Sequence, residues 1–375
     1  MFMAWSIGAG SSGSTPFAPA VGANAISVMR AGFLVGLLGF AGATLQGANV
    51  SEAVGRELIR GVALSPLAAI IGLFTAAVLV AVGVFAGYPI ATAFTVTGAV
   101  VGVGLALGGD PAWAKYREIV TLWVSVPFVG GGISYALSRT FRERPERRSV
   151  VIAVLAALVG VIVANVQFTL LGPGRASSSL AATAAAAVGG GVGARGLVTA
   201  AVAVGVGGLM YSALASDEVR AERRFLLALG GLVAFSAGGS QVGLAIGPLL
   251  PLLGPLGSPL VAVLMVGGLG LLAGSWTGAP RMIKALSQDY SALDSSRSIA
   301  ALVPSFAIAQ TAVFFGIPVS FNEIIVSAIV GSGYAAGDGG VSRQKMVYTV
   351  LAWVGSLALA TAFGYGAFTA VETFG

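Results

Sequence analysis

Gly8-Ala-Gly-Ser-Ser-Gly-Ser-Thr-Pro-Phe-Ala-Pro19 interrupts an apolar N-terminal segment with glycine, hydroxyl and proline residues. Glycine is entropically costly inside a helix, and proline lacks an N–H donor and clashes with the preceding turn, so this run is read as a helix break. An echo, Ala237-Gly-Gly-Ser-Gln-Val-Gly-Leu-Ala-Ile-Gly-Pro248, again lies in apolar sequence and is read as a second break. In lipid, non-helical backbone is tolerated only where it is buried in protein or lines a cavity. Two breaks at matching places in two halves point to the binding site of a transporter.

The surroundings fix the class. Of 375 residues, 57% are hydrophobic and only 9% charged, far below the roughly 25% charged of a soluble domain. Long apolar segments recur, at the length of about 20 residues that a helix needs to cross the hydrocarbon core. The short alternating segments of a β-barrel do not occur. The chain reads as an all-α polytopic membrane protein with roughly 10–12 transmembrane helices, some of them broken. Apolar segments fall near 2–27, 31–50, 62–86, 88–107, 119–138, 149–171, 179–194, 196–216, 225–252, 258–278, 298–316, 317–335 and 347–371. Nearly all the charge sits in the connectors Glu52–Arg60, Asp110–Glu118, Arg139–Arg148, Asp217–Arg224, Arg281–Arg297 and Asp338–Lys345.

Several chemistries are excluded. The chain has no cysteine and no histidine, so disulfides, Cys/His metal sites and histidine acid–base catalysis are ruled out, and an enzyme is not expected. No glycine-rich run ends in Gly-Lys-Ser/Thr, and Lys115, Lys284 and Lys345 all lie among polar residues. A P-loop ATPase is therefore excluded, and a retinal Schiff base is disfavoured. The net charge of +6 is read as topology rather than as nucleic-acid binding. Arg139, Arg142, Arg144, Arg147 and Arg148 form a short basic loop that marks the cytoplasmic side, a lipid-headgroup site being the sharper alternative. No basic residue precedes Arg30, so the first segment is read as membrane-embedded rather than as a signal peptide.

Glycine is frequent, with 56 residues, and the pairs Gly98/Gly102 and Gly270/Gly274 have the small-xxx-small spacing of closely packed membrane helices. Trp113, Trp123, Trp276 and Trp353 fall near segment ends and are assigned to the aromatic belts. A repeat is also visible. Gly87-Tyr-Pro-Ile-Ala-Thr-Ala-Phe-Thr-Val-Thr-Gly98 follows the first break, and Gly316-Ile-Pro-Val-Ser-Phe-Asn-Glu-Ile-Ile-Val-Ser327 follows the second. The chain divides into a first membrane repeat (1–140), a basic loop with linking helices (141–224) and a second repeat (225–375).

Polar side chains inside spans are costly and tend to face a cavity or one another. Here they gather beside the breaks: Gly10 with Ser11, Ser12, Ser14 and Thr15; Ser240 and Gln241; Thr92, Thr95 and Thr97; and Ser320, Asn322, Glu323 and Ser327. Backbone N–H groups at a helix start, joined by neutral hydroxyls, suit an oxyanion. The competing reading is that each hydroxyl bonds back to its own helix. Glu323 is the one acidic residue of fourteen that lies in an apolar span. A carboxylate there is costly to keep charged, which makes Glu323 the candidate proton-coupling group, with structural pairing to Asn322 or Gln310 as the alternative.

The two breaks and two Gly-x-Pro motifs, in this order, resemble the inorganic phosphate transporter (PiT) family. Each half of that family carries a Gly-Ala-Asn-Asp-Val-Ala-Asn-Ala signature and a later Gly-Leu-Pro-Val-Ser-Thr-Thr-His signature. The resemblance implies inverted-topology repeats around a central anion site, coupled to sodium or protons. This chain has Gly10-Ser11 and Ser14 in place of the first signature's polar residues, and Ser240, Gln241 and Leu244 in the second, so both aspartates are absent. A hard sodium ion favours oxygen ligands with negative charge nearby, and proton coupling is therefore favoured. Glu323 stands where the family has histidine. The loss of the aspartates is similar to the related sulfate permease branch.

The expected function is thus ion-coupled symport of inorganic phosphate across the cell membrane, with sulfate as the alternative and an anion channel or a non-transporting homologue as remoter ones. The expected substrate-binding set is Gly10, Ser11, Ser12, Ser14, Thr15, Thr92, Ser240, Gln241, Ser320 and Asn322. The partners are phosphate or sulfate, a proton or sodium ion, the lipid bilayer and, optionally, a second copy of the chain. No cofactor and no nucleic acid are expected.

Overall fold

The computed structural model describes residues 1–168, 179–257, 259–335 and 341–374. Residues 169–171 of the 149–171 apolar segment and Asp338 of the Asp338–Lys345 connector lie outside them. The first half begins with α1 (Phe2–Ile7), a π-helical turn (Gly8–Ser12) and α2 (Ala18–Gly22). It continues through α3 (Val28–Gln46), α4 (Ala48–Arg56), α5 (Pro66–Ala86), α6 (Thr92–Ala106) and α7 (Trp113–Glu143). Two short strands, β1 (Ile59–Arg60) and β2 (Asp110–Pro111), pair antiparallel. The linking helices are α8 (Arg148–Asn165), α9 (Leu180–Ala187) and α10 (Val192–Ser216). The second half holds α11 (Glu218–Ile246), α12 (Leu250–Leu256), α13 (Leu260–Thr277), α14 (Ala279–Gln288), α15 (Ser295–Phe315), α16 (Phe321–Tyr334) and α17 (Arg343–Phe374). Among the described residues nine helices are long and apolar enough to cross a membrane. The chain is a multi-pass membrane protein whose other apolar segments fold as shorter pieces such as α1, α2, α6 and α16.

The repeat is visible element by element. α5 and α15 both end on a glycine in the left-handed region, Gly87 at φ 74° and Gly316 at φ 65°, where a side chain would be strained. Tyr88 N donates to Gly83 O at 3.0 Å and Ile317 N to Ala312 O at 2.9 Å, closing the same turn. Each turn leads through its proline loop into a short helix, α6 or α16, and then into a long one, α7 or α17. The β1–β2 pair of the first half is matched by a bridge between Ser291 and Val341 in the second.

The halves pack crosswise. A Cβ at Gly331 on α16 would collide with the Gly131 backbone of α7, and one at Gly102 on α6 with the Thr361 backbone of α17. Both pairs of glycines predicted to pack tightly do so: Gly98 and Gly102 lie against Leu357 and Thr361, and Gly270 and Gly274 against Ala4 and Trp5. Such backbone-to-backbone approach holds helices together where lipid offers no hydrophobic drive.

Ion pairs locate the two ends. At the start of α7, Lys115 bridges Glu57 (2.9 Å) and Glu118 (3.2 Å) beside the β1–β2 pair. The 31 residues of α7 carry the chain about 46 Å away. There Arg148 holds Glu218 (3.1 Å) and Glu222 (2.6 Å). Glu222 also accepts from Ser295, and Lys345 reaches Asp289 at 3.1 Å. The matched strand pairs therefore sit at opposite ends of the bundle.

Two local expectations need correction. Arg139–Arg148 is not a loop: α7 runs to Glu143, a 3-10 turn covers Pro145–Arg147, and α8 starts at Arg148. The arginines extend the helices because Arg139 pairs with Glu143 one turn on, at 2.7 Å. Trp113 and Trp276 are exposed as interface residues are, at 68% and 43%, whereas Trp123 and Trp353 are buried, each 5% exposed.

The end that carries Arg139–Arg148, Asp217–Arg224 and Arg281–Arg297 holds far more Lys/Arg than the end with Arg56, Arg60, Lys115 and Arg117, and the positive-inside rule predicts that it faces the cytoplasm. The chain has no cysteine, so single substitutions test this directly. In right-side-out vesicles, an impermeant thiol reagent should label Arg60→Cys and spare Arg147→Cys; the reverse pattern would invert the assignment.

Candidate functional site

The first break is a tightened turn. After Gly8–Ser12, the backbone N–H groups of Ser14 and Thr15 both reach the Ser11 carbonyl at 3.0 Å. Their hydroxyls return to that same carbonyl, Ser14 Oγ at 3.2 Å and Thr15 Oγ1 at 3.1 Å. Ser14 and Thr15 thus spend their hydroxyl protons on local backbone, the back-bonding that competes with the ligand role expected for them. Small residues let neighbours come close: Gly8 meets the Leu271 carbonyl, and Gly10 lies 2.7 Å, as an added Cβ, from Val84 Cγ2.

The second break is confined to the last two residues of the stretch the sequence suggested, Ala237–Pro248. α11 runs unbroken through Ala237–Gly243 and yields only at Gly247-Pro248. Its glycines serve close approach instead, Gly238 against the Gly39 backbone and Gly243 against Ser51 and Val50. Ser240 and Gln241 therefore project from an intact helix rather than from a loop.

The two proline motifs bring the remaining candidates together. Asn322 Nδ2 donates to Gly10 O (2.9 Å) and Ile90 O (2.7 Å), tying α16 to the opening turn and to the first proline loop. Gln241 Nε2 donates to Val319 O at 2.8 Å, and Gln241 Oε1 accepts from Thr92 Oγ1 at 2.7 Å. Thr92 Oγ1 also lies 3.4 Å from Ser11 Oγ. Ser320 Oγ caps α16 by accepting from Glu323 N at 3.5 Å. One network so joins Gly10, Ser11, Thr92, Gln241 and Asn322, with Ser12, Ser240, Ser320 and Glu323 as chain neighbours of its members. All ten of the side-chain-bearing candidates are at most 2% exposed.

The sequence missed the two buried tryptophans as part of this arrangement. Trp123 Nε1 donates to Pro318 O at 2.9 Å, and Trp353 Nε1 donates to Pro89 O at 2.8 Å. Each half supplies the indole that holds the other half's proline loop. Phe94 stacks on Trp123 with ring centroids 3.8 Å apart. The available signal was positional: both tryptophans are the eleventh residue of their helices, α7 and α17. A polar cluster was missed as well. Gln310 Nε2 donates to Ser236 Oγ (2.6 Å) and Gln46 Oε1 (3.3 Å). Gln310 is thus committed to Gln46 and Ser236, and the suggested pairing with Glu323 is not formed.

Four oxygens of the arrangement have no hydrogen-bond partner among the described residues: Ser12 Oγ, Ser240 Oγ, Asn322 Oδ1 and Glu323 Oε2. Leaving buried polar atoms unpaired costs about 1–3 kcal/mol each, so these four, on neighbouring segments, are the candidates for contact with a polar ligand. Among the described residues no group of three or more Asp/Glu forms a candidate metal cluster.

The description "Phosphate transporter family" matches residues 8–364. The chain belongs to that family. A protein of Thermococcus kodakarensis named as a phosphate permease is 24% identical over 94% of this chain and 90% of its own length. The chloroplastic inorganic phosphate transporter 2-1 of Arabidopsis thaliana is 24% identical over 94% of this chain and 68% of its own length. The solved structure described as "The sodium-dependent phosphate transporter" superposes with a TM-score of 0.83 at 21% identity, covering 100% of this chain and 97% of that one. It shares the fold.

The tryptophan bonds make a specific demand. Trp123→Phe and Trp353→Phe keep an aromatic ring but leave a proline-loop carbonyl without a donor, a loss of about 1–3 kcal/mol each. Both should lower the thermal midpoint in detergent, while Trp113→Phe at the exposed end should not; equal midpoints for all three would show that the indole bonds do not hold the loops.

Proposed function

We propose that this chain moves inorganic phosphate across the membrane by alternating access, as an ion-coupled carrier that uses protons in preference to sodium. The carrying observation is the set of four unpaired buried oxygens, Ser12 Oγ, Ser240 Oγ, Asn322 Oδ1 and Glu323 Oε2, on segments that the cross-half network draws together. Phosphate would take the hydroxyls of Ser12 and Ser240 as donors and lie beside Gly10, Ser11 and Thr92. Gln241 and Ser320 would act by fixing the segments, since their side chains are already engaged with Val319, Thr92 and the start of α16. The relatives' names support phosphate as the substrate; none of those reported names sulfate.

Proton coupling is supported by the donor set. Glu323 is the single carboxyl group of the arrangement, and a lone buried carboxyl can carry a proton yet makes a poor sodium cage, which wants several oxygens. The division into repeat 1–140, linker 141–224 and repeat 225–375 supplies the moving parts, one repeat rocking against the other around the midplane site.

Uptake of labelled phosphate into proteoliposomes tests the reading. An inward proton gradient should drive accumulation, and an inward sodium gradient alone should not. Glu323→Gln should abolish proton-driven accumulation while phosphate exchange at equal concentrations persists. Accumulation driven by sodium with Glu323→Gln unaffected would overturn the coupling, and absence of phosphate movement under every gradient would overturn the transport reading.

A further inference from the structure

The amide of Asn322 is locked. The hydrogen-bond partners of an asparagine decide which end of its amide is oxygen and which nitrogen. Here both partners of Nδ2, Gly10 O and Ile90 O, are backbone carbonyls at 2.9 and 2.7 Å. A carbonyl accepts and never donates, so the nitrogen must face them. Oδ1 is thereby held on the opposite side, with no partner among the described residues and the side chain 1% exposed. Gln241 is locked by the same logic, Nε2 on the Val319 carbonyl, but its oxygen is filled by the Thr92 hydroxyl at 2.7 Å. Asn322 Oδ1 is thus a buried acceptor that no rotation of its own side chain can turn into a donor.

The neighbouring unpaired groups are less constrained. The Ser12 and Ser240 hydroxyls can donate or accept by rotating, and a carboxyl such as Glu323 can present either O or O–H. Only Asn322 would impose one sign of hydrogen bond on a ligand that reached it. A fully deprotonated oxyanion offers lone pairs alone, so its oxygen against Oδ1 would be acceptor against acceptor. An anion carrying an O–H group satisfies it.

Resting on the phosphate-carrier reading above, we propose that Asn322 Oδ1 is a specificity-determining acceptor that selects oxyanions bearing a hydroxyl, protonated phosphate and its close analogue arsenate, and rejects those without one, such as sulfate. This places discrimination on a neutral amide, in a site whose carboxyl count has fallen to one. A site built to hydrogen-bond a substrate hydroxyl rejects analogues that lack it far more strongly than pocket shape can, because its own buried group is then left unpaired.

Competition against labelled phosphate, on the purified full chain reconstituted in vesicles at neutral pH, provides the test. Arsenate should displace phosphate within a few-fold. Sulfate and monofluorophosphate, a tetrahedral dianion of similar size that carries no proton at neutral pH, should each be weaker by roughly tenfold to a hundredfold. Displacement by either within about threefold of arsenate would overturn the selection, although the phosphate-carrier reading would stand. If labelled phosphate neither binds nor enters, both fail. A second arm assigns the residue. Asn322→Thr supplies a rotatable hydroxyl and should shrink the arsenate-to-sulfate ratio toward unity, whereas Ser12→Ala should weaken both anions together and leave the ratio unchanged. An unchanged ratio in Asn322→Thr would show that selection lies elsewhere, and the wild-type competition decides the selectivity itself even if that variant does not fold.

Discussion

Every backbone carbonyl at membrane depth must find a donor, and the two proline loops are where this chain is most exposed to that demand. A helix start leaves nothing upstream to bond, and the loops 87–91 and 316–320 each present two consecutive carbonyls, Pro89 and Ile90 in one, Pro318 and Val319 in the other. Side chains from other segments supply all four donors: Trp353 and Asn322 for the first loop, Trp123 and Gln241 for the second. The halves cannot drift apart without stripping those carbonyls, so the same bonds that satisfy the backbone also fix the starts of α6 and α16, where the candidate ligand groups lie.

The symmetry of this solution is partial, and where it fails the chemistry appears. The tryptophans are repeat equivalents and make equivalent bonds. The amides are not: Asn322 corresponds in the repeat to Ala93, and Gln241 to Ser11. At the site, then, the two halves are no longer interchangeable. One amide oxygen is satisfied internally by Thr92, the other is left open beside Glu323, whose own counterpart is Phe94, stacked on Trp123. The first half contributes packing and hydroxyls at these positions, and the second contributes the acceptor and the carboxyl.

The class, the repeat and the neighbourhood of the site were legible because each is written in local composition: apolar runs of spanning length, glycine and proline at the turns, and polar residues where none are expected. The Gly8–Pro19 break was readable for the same reason. Its echo was misread because Ala237–Gly243 has the same small residues for another purpose, letting α11 touch the backbones of α3 and α4, and small residues look alike whether they break a helix or admit a neighbour. Ser14 and Thr15 were likewise indistinguishable in sequence from Ser12, since only the turn decides which hydroxyls fold back on Ser11 and which stay open. Trp123 and Trp353 read as belt residues because segment boundaries drawn from hydropathy place them near helix ends, while the helices begin ten residues earlier.

Long-range pairing of this kind has a consequence for how the site can move. Asn322 holds Gly10 across 312 residues of chain and Gln241 holds Val319 across 78, so opening the site on one side cannot be a local loop motion. α16, the opening turn and the first proline loop are tied at one residue; α6, α11 and the second proline loop meet at another. In the proposed carrier, alternating access would need one of these knots to yield while the other holds. Each knot consists of two bonds, Asn322 to two backbone carbonyls and Gln241 to one carbonyl and the Thr92 hydroxyl. Gln241 lies on an unbroken 29-residue helix, whereas Asn322 is the second residue of a 14-residue one. In the carrier proposed above, a ligand that bonds Asn322 Oδ1 would act on the joint that ties α16 to the opening turn and the first proline loop.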